Sequence, residues 1–480
     1  MINYITNLKN SQNYNKIIKI LVILFILSLF FPISHVFLTK EAYLTGDYSD
    51  FTSFSLYLSD ILIFLLVLMV FLPRGGIKRV ISNFKFQISN PIIWLILALL
   101  LCFILHFGLN TRLNAYLFIK WLELLVSYGT FRVLFKQTDI KSLFFRLFAW
   151  FCGLESIIAL VQFAKQSSIG LYRIGESHLA PGILGVAKIV SGGTTYIRGY
   201  GTFPHPNPFS AFLVAGILIT IFLLTLSAGK KQTILYSILL FINILGLTVT
   251  FSRGAYLALA TGLMIFFGTQ FIKKRVIASQ SASEGVAIPY PYKIASSGAL
   301  LAISPMIILF ISIAISFFLF KPFLLTRATF SDQSTIARKF YDVTGVKMAE
   351  ANPTFGVGMG ESLLHMEQYS GKALAPWDKQ PPHNYFIIAA AEMGIPAMLI
   401  LVWIFFSHFW GLIKKLKIVS NNLLTTHYPL STSILCSFLL LMLFDHYFYT
   451  LQQTQLLLWI ILALMAAETK KPSNEGILKS

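Results

Sequence analysis

Residues 208–272 read PFSAFLVAGILITIFLLTLSAGKKQTILYSILLFINILGLTVTFSRGAYLALATGLMIFFGTQFI. Three apolar runs stand here almost end to end, at 208–228, 233–251 and 254–272. Each is close to the ~20 apolar residues that an α-helix needs to cross a bilayer. Gly229-Lys230-Lys231-Gln232 separates the first two, and only Ser252-Arg253 separates the second from the third. Connections this short make antiparallel neighbours of the helices they join.

Working outward, further runs lie at 17–38, 56–72, 91–109, 113–135, 143–164, 297–320, 384–411, 428–448 and 453–467. The chain therefore reads as an all-α polytopic integral membrane protein of about 12 transmembrane helices. Composition agrees. Hydrophobic residues make up 56% and charged residues 12% of the 480, with a mean hydropathy of +0.73. Disordered chains, fibres and almost any soluble enzyme are excluded on that ground. The first run has no small-residue cleavage site after it and reads as a retained helix. Cys102, Cys152 and Cys436 all fall in apolar runs, with no metal-ligand spacing.

The net charge of +19 is distributed in a telling way. With the N-terminus placed inside, Lys9–Lys19, Arg74–Lys85, Arg132–Arg146, Lys230-Lys231, Lys273–Arg275 with Lys293, Lys414–Lys417 and Lys470–Lys479 all fall on one side. That side is the cytoplasm by the positive-inside rule, so both termini are expected there. Spread over short loops, these lysines and arginines form no stripe for nucleic acid, which is excluded as a partner.

Two segments on the other, extracytoplasmic side are too long to be mere connections: 166–207 and 321–383. In the second, Ser334–Ala351 has the apolar spacing of a surface helix, ended by Asn352-Pro353. Gly356, Gly358 and Gly360 then call for a tight backbone path. The rest of the chain reads as one membrane domain.

Chemistry-bearing residues gather on that side. Arg253 sits between the seventh and eighth runs, against the positive-inside preference. It reads either as a snorkelling side chain or as a forked anion ligand beside the free amides of a helix start. Arg338 lies on the predicted loop helix. Arg198, His205 and Asn207 lie in Arg198-Gly199-Tyr200-Gly201-Thr202-Phe203-Pro204-His205-Pro206-Asn207, where loop packing is the competing reading. His383 and Asn384 follow Pro381-Pro382 at the start of the tenth run. A helix start favours the neutral imidazole, which can accept a proton. Glu392 is roughly 13 Å deeper along that helix and reads as structural, as do Asp60, Glu155 and the i,i+3 pair Lys120 and Glu123. Asp445 and His446, with Tyr447, Tyr449, Gln452 and Gln453 beyond, suit either sugar contacts or an interfacial aromatic belt. Asp332 and Asp342 are too few for a hard-cation cage, and no metal site is expected.

Four pieces occur in order: Arg198 through Asn207; Phe251-Ser252-Arg253-Gly254; Arg338 with Asn352-Pro353-Thr354-Phe355-Gly356-Val357-Gly358; and Pro382-His383-Asn384-Tyr385 with Glu392-Met393-Gly394-Ile395-Pro396. Together they resemble the O-antigen ligase and polymerase superfamily of bacterial inner-membrane proteins. The resemblance implies a GT-C-like glycosyltransferase. Such an enzyme moves a glycan from an undecaprenyl-diphosphate carrier to a hydroxyl of a glycan, lipid or protein acceptor. It implies no cofactor, no metal and no nucleotide sugar. Arg253 and Arg338 would hold the diphosphate, and His383 would be the loop histidine at the chemical step. Arg198, His205, Asn207, Asn384 and Asp445 would contact substrate. Ligase and polymerase share these motifs, and both stay open. A reading from another class is a 12-span secondary transporter. Its ionisable residues would be expected at the membrane midplane, whereas these cluster at one face.

Overall fold

The computed structural model describes residues 12–44, 47–71, 90–108, 111–227, 229–284, 299–327, 333–417 and 428–467. The basic connections Arg74–Lys85, Lys293 and Lys470–Lys479, and Asp332, lie outside the described residues.

A helix stands at each of the twelve expected positions. In chain order the helices are α1 (Gln12–Phe30), α2 (Leu58–Phe71), α3 (Pro91–Leu105), α4 (Thr111–Leu134), α5 (Thr138–Lys165), α6 (Pro206–Leu226), α7 (Lys230–Thr250), α8 (Arg253–Glu284), α9 (Ala299–Arg327), α10 (Gln333–Ala351), α11 (Met366–Ser370), α12 (Tyr385–Lys417), α13 (Tyr428–Met442), α14 (Tyr447–Thr450) and α15 (Gln452–Ala467). Among the described residues, seven of them are long and apolar enough to cross a membrane: α1, α5, α6, α7, α8, α9 and α12. α2, α3, α13 and α15 are apolar but shorter. α4 is long and carries Lys120 and Glu123. The protein is an all-α, multi-pass membrane protein.

α6 is the hub. Its apolar residues run all round the helix, and 89% of its spanning window is buried, as expected of a helix enclosed by others. α5, α7, α8 and α13 pack on it. Small residues set the closest crossings, with Gly216 of α6 against Cys152 of α5 and Gly246 of α7 against Ser156 of α5. A Cβ at either glycine would collide with its neighbour. Backbones approach this way in membranes because close packing replaces the absent hydrophobic drive.

Charges inside the helical layer are partnered. Lys120 of α4 pairs with Asp60 of α2, and its Nζ lies 3.3 Å from Glu123 Oε2. Gln452 of α15 closes the cluster, donating to Asp60 Oδ1 and to Glu123 Oε1 at 3.0 Å. Glu155 accepts from the amide and hydroxyl of Thr202, at 2.7 and 2.9 Å. Glu392 accepts from the Gly360 amide, the Ser362 hydroxyl and the Tyr449 hydroxyl. Asp60 and Glu123 join α2, α4 and α15, and Glu155 and Glu392 fasten helices to loops, which fits the cost of an unpaired charge in this layer.

One expectation needs correction. The first run, read as 17–38, is helical only to Phe30. Pro32 cannot continue the ladder, and Ser34–Phe37 (β1) turns into a strand paired antiparallel with Phe54–Tyr57 (β4). Tyr43–Leu44 (β2) and Asp47–Tyr48 (β3) pair between them. A third structured segment thus joins the two long loops. The second of those loops carries α10 where Ser334–Ala351 was expected, and the first carries the hairpin Lys188–Ser191 (β5) with Thr194–Ile197 (β6).

The run 384–411 is helical as expected, with one interruption. α12 breaks at Gly394, where φ is 85° and ψ 163°. Pro396 has no N–H to offer the Glu392 carbonyl. The Ile395 amide turns away to the Pro353 carbonyl, 2.8 Å off. The carbonyls of Ala391 and Glu392 are thereby freed, and the amides of Val357 and Gly358 take them, at 2.8 and 3.1 Å. The stretch Pro353–Gly358 is laid along the broken helix like an added strand. Gly356 (φ 68°) is required there, because a Cβ would strike the α12 backbone.

Candidate functional site

The α7–α8 corner turns on Phe251, whose φ of 47° is left-handed. A bulky residue pays of order 1–3 kcal/mol for that conformation. Its ring is fully buried against Phe163, Phe320 and Phe323, which holds the turn in place. Arg253 then starts α8, and its side chain lines a cavity at the loop end of the bundle.

Four segments distant in sequence are tied together by one chain of polar contacts. Arg198, only 4% exposed, donates from Nε to the Thr250 carbonyl at 2.5 Å and from Nη2 to Asn207 Oδ1 at 2.8 Å. Asn207 Nδ2 donates to Asp445 Oδ2 at 2.8 Å. The same carboxylate oxygen lies 3.8 Å from Arg338 Nη2, and Arg338 Nη1 reaches the Phe444 carbonyl at 3.4 Å. Asp445 Oδ1 accepts from the His446 amide at 2.9 Å. Burial alone would raise this carboxyl. His446, Arg338, His383 and His205 around it outweigh burial and hold it at about 2, so it is an anion at neutral pH.

His383 precedes the α12 N-cap. Its Nδ1 is 3.1 Å from the Pro381 carbonyl, which makes Nδ1–H the donor and leaves the lone pair on Nε2. The ring stacks on Tyr341 of α10, with centroids 5.6 Å apart and 17° between planes, and meets His446 edge to face at 4.9 Å. Burial lowers its pKa, and Arg338 adds to the effect. Asp445 and the Pro381 carbonyl act in the opposite sense without reversing the direction. Asp342 lies on the same helix as Tyr341 and Arg338. Burial raises its carboxyl against the pull of the His383 amide and Arg338. His446 is pushed down to about 3 by burial and stays neutral.

Arg253, Arg338, Arg198, Asn207, His383 and Asp445 all line one cavity of about 730 Å³. Lys339 and Lys347 of α10 add positive charge, and Leu257, Val346, Leu441 and Phe444 give it an apolar side. A second cavity of about 740 Å³ shares Arg198, Asn207, Arg338, His383, Asp445 and Tyr447 with the first, and extends to the Pro32–Tyr57 segment. His205 lines only the second. It also caps α6, Nδ1 accepting from the Asn207 amide at 3.1 Å, and burial pushes it down to about 3. Asn384 is placed differently. Its Oδ1 caps α12 through the Phe386 and Ile387 amides, and its Nδ2 donates to the Leu443 carbonyl, so both ends of the amide are engaged. It borders neither cavity.

Residues 238–402 match the family model described as O-antigen ligase. That segment is similar to O-antigen ligases. The match spans Arg253, Arg338, His383 and Asn384, and it supports the O-antigen ligase and polymerase superfamily, with glycosyl transfer of that general type. No curated protein matches the chain in sequence.

The sequence did not single out three features of this site. His446 was visible only as the neighbour of Asp445, Asp342 only as a scattered acid, and the Pro32–Tyr57 wall not at all. His383, Asp445 and His446 also bring one donor atom each within 4.8 Å of one another. That is a spacing a metal ion could use, and the sequence had suggested none. Here Asp445 is already engaged by Asn207, the His446 amide and Arg338.

Proposed function

We propose that the protein transfers a glycan from an undecaprenyl-diphosphate carrier to an acceptor hydroxyl at the extracytoplasmic face of the bacterial inner membrane. The observation that carries this reading is the placement of Arg253, Arg338 and His383 around one cavity with a basic part and an apolar part. A lipid diphosphate has the same two halves. The guanidinium forks match phosphate oxygens, and the apolar side suits the first isoprene units.

In this reading, Arg253 and Arg338 bind the diphosphate and stabilise the charge it gains on leaving. The acceptor hydroxyl attacks the anomeric carbon and its proton passes to His383 Nε2. The carbon–oxygen bond to phosphate breaks, and the electron pair stays on the lipid diphosphate. Attack from the face opposite the leaving group inverts the anomeric centre. Asp445 stabilises the imidazolium that forms and holds Arg338. No metal is given a step. Arg198 and Asn207 act as the brace that fixes Asp445, and Asn384 fixes the helix start that carries His383.

The loops 166–207 and 321–383 lie outside the cytoplasm in this scheme, and both termini inside. The acceptor is a glycan, lipid or protein hydroxyl, so the reaction is of ligase or repeat-unit polymerase type. The test is transfer by the purified protein of a radiolabelled glycan from undecaprenyl diphosphate to added acceptor. Release of label only as free sugar, or uptake of sugar into vesicles without transfer, would overturn the reading in favour of a hydrolase or a transporter.

A further inference from the structure

The two cavities meet at His383 but differ in chemistry. The first has Arg253, Lys339 and Lys347 to itself, with the acids Asp342 and Glu350 among them. The second has Asp50 and Lys188 as its own charged residues, one of each sign. Its other private walls are Tyr48, Phe51 and Tyr57 from the segment between α1 and α2, the hydroxyls of Ser53 and Ser55, and Gln453. Tyr48 is 44% exposed, so its ring is available. Phe51 touches the His446 ring with centroids 5.6 Å apart, and His446 touches His383. An occupant resting on Phe51 is therefore two ring contacts from the imidazole.

Two polar atoms at this cavity lack a hydrogen-bond partner among the described residues. They are Gln453 Oε1 and the Tyr447 hydroxyl, on residues 2% and 4% exposed. Both atoms are closed to solvent, so they belong to the packed floor and are not open to an occupant. Aromatic faces with a few polar atoms and little net charge fit the C–H faces and hydroxyls of a pyranose. Arg198 and Arg338 border both cavities, but a phosphorylated ligand would find three further cations, Arg253, Lys339 and Lys347, in the other and only Lys188 here.

We propose that this second cavity is an acceptor site for an uncharged sugar ring, the receiving end of a glycan, walled by Pro32–Tyr57 and floored by Tyr447 and Gln453. The proposal rests on the transferase reading above and narrows its acceptor to sugar. The Pro32–Tyr57 wall lies outside the matched family segment, so acceptor choice is carried by a part of the chain separate from the donor arginines.

The test measures binding by the full-length protein in detergent. The probes are the neutral oligosaccharide released from its own lipid carrier, a phosphorylated form of that oligosaccharide, and the intact lipid-linked donor. Phe51→Ala and Tyr48→Ala should each weaken neutral oligosaccharide binding about three- to tenfold, and leave donor binding unchanged. Phe51→Tyr should restore the first. Oligosaccharide binding that stays within about twofold of parental in both alanine variants overturns the acceptor site. So does tighter binding of the phosphorylated oligosaccharide than of the neutral one. A parental protein that fails to bind the lipid-linked donor overturns the transferase reading itself, which is a separate outcome. Phe51→Ala that loses donor and oligosaccharide together also counts against the proposal when Tyr48→Ala, at an exposed position, spares both.

Discussion

Asn207 Nδ2 and Asp445 Oδ2, 238 residues apart in sequence, are joined by a 2.8 Å hydrogen bond. Arg198 holds the other end of the Asn207 amide, and Arg338 stands against the same Asp445 oxygen. The start of α6 and the segment after α13 are thereby locked beside the helix that carries Arg338. Asp445→Asn removes the anion and puts an amide donor against two existing donors. Turnover should fall by about 10² or more. The folded carboxyl is held below its unfolded value. Its stabilisation is therefore present above pH ~4 and lost as pH falls towards ~2. The acid limb of the melting temperature should be shallower in Asp445→Asn. An unchanged rate in this variant would remove Asp445 from the site.

The arginines divide by their surroundings. Arg253→Lys keeps the charge but loses the fork, and transfer should drop strongly while expression and membrane insertion hold. Arg338→Ala should weaken donor binding. Arg198→Ala should act differently. It leaves the Thr250 carbonyl and Asn207 without their buried donor, so it should lower the melting temperature as well as the rate. Parental transfer rates in both Arg253→Lys and Arg338→Ala would dismiss the diphosphate clamp.

The break in α12 is a stability element. Gly394 has φ 85°, and a Cβ there would run into the Thr354 carbonyl. Gly394→Ala should destabilise the protein by at least about 2 kcal/mol, read as a fall in melting temperature in detergent. A Gly394→Ala protein as stable as the parent would show that the crossing of Pro353–Gly358 over α12 is not needed.

Much of this was legible in the sequence because apolar runs and charged loops are local signals. All twelve helix positions, α10 and the tight glycine path were expected from composition and punctuation alone. What escaped was tertiary. The run through Phe31–Leu38 stays apolar past Pro32, so its turn into β1 left no change in hydropathy. Glu392-Met393-Gly394-Ile395-Pro396 lies inside the apolar run 384–411, and hydropathy does not mark the interruption there. It breaks because another strand is there to take the freed carbonyls. The closeness of His383 to His446 and Asp342 belongs to no spacing in the chain.

Topology has a direct test. A reporter fused after Gly229 should read as cytoplasmic, and one at Gly371, in the loop with α10 and α11, as extracytoplasmic. A cytoplasmic signal at Gly371 would move the whole site to the other face and exclude a donor presented from outside.

His383 gives the sharpest kinetic expectation. Burial and Arg338 hold its pKa below the ordinary imidazole value, so Nε2 is unprotonated at neutral pH. The rate should fall only as pH drops through that lowered pKa, placing the acid limb below pH ~6.5. His383→Ala should lose this limb and most of the turnover while the lipid-linked donor still binds. His383→Gln, which keeps polarity without a base, should behave like the alanine variant if proton transfer is the role, and partly recover the rate if orientation is. Chelators bear on the same residue, because His383, Asp445 and His446 lie within reach of one ion. With Arg338 already against Asp445, EDTA should leave the parental rate unchanged. Loss of activity in EDTA, restored by Mg²⁺ or Mn²⁺, would instead make this trio a metal site and take the role of base from His383.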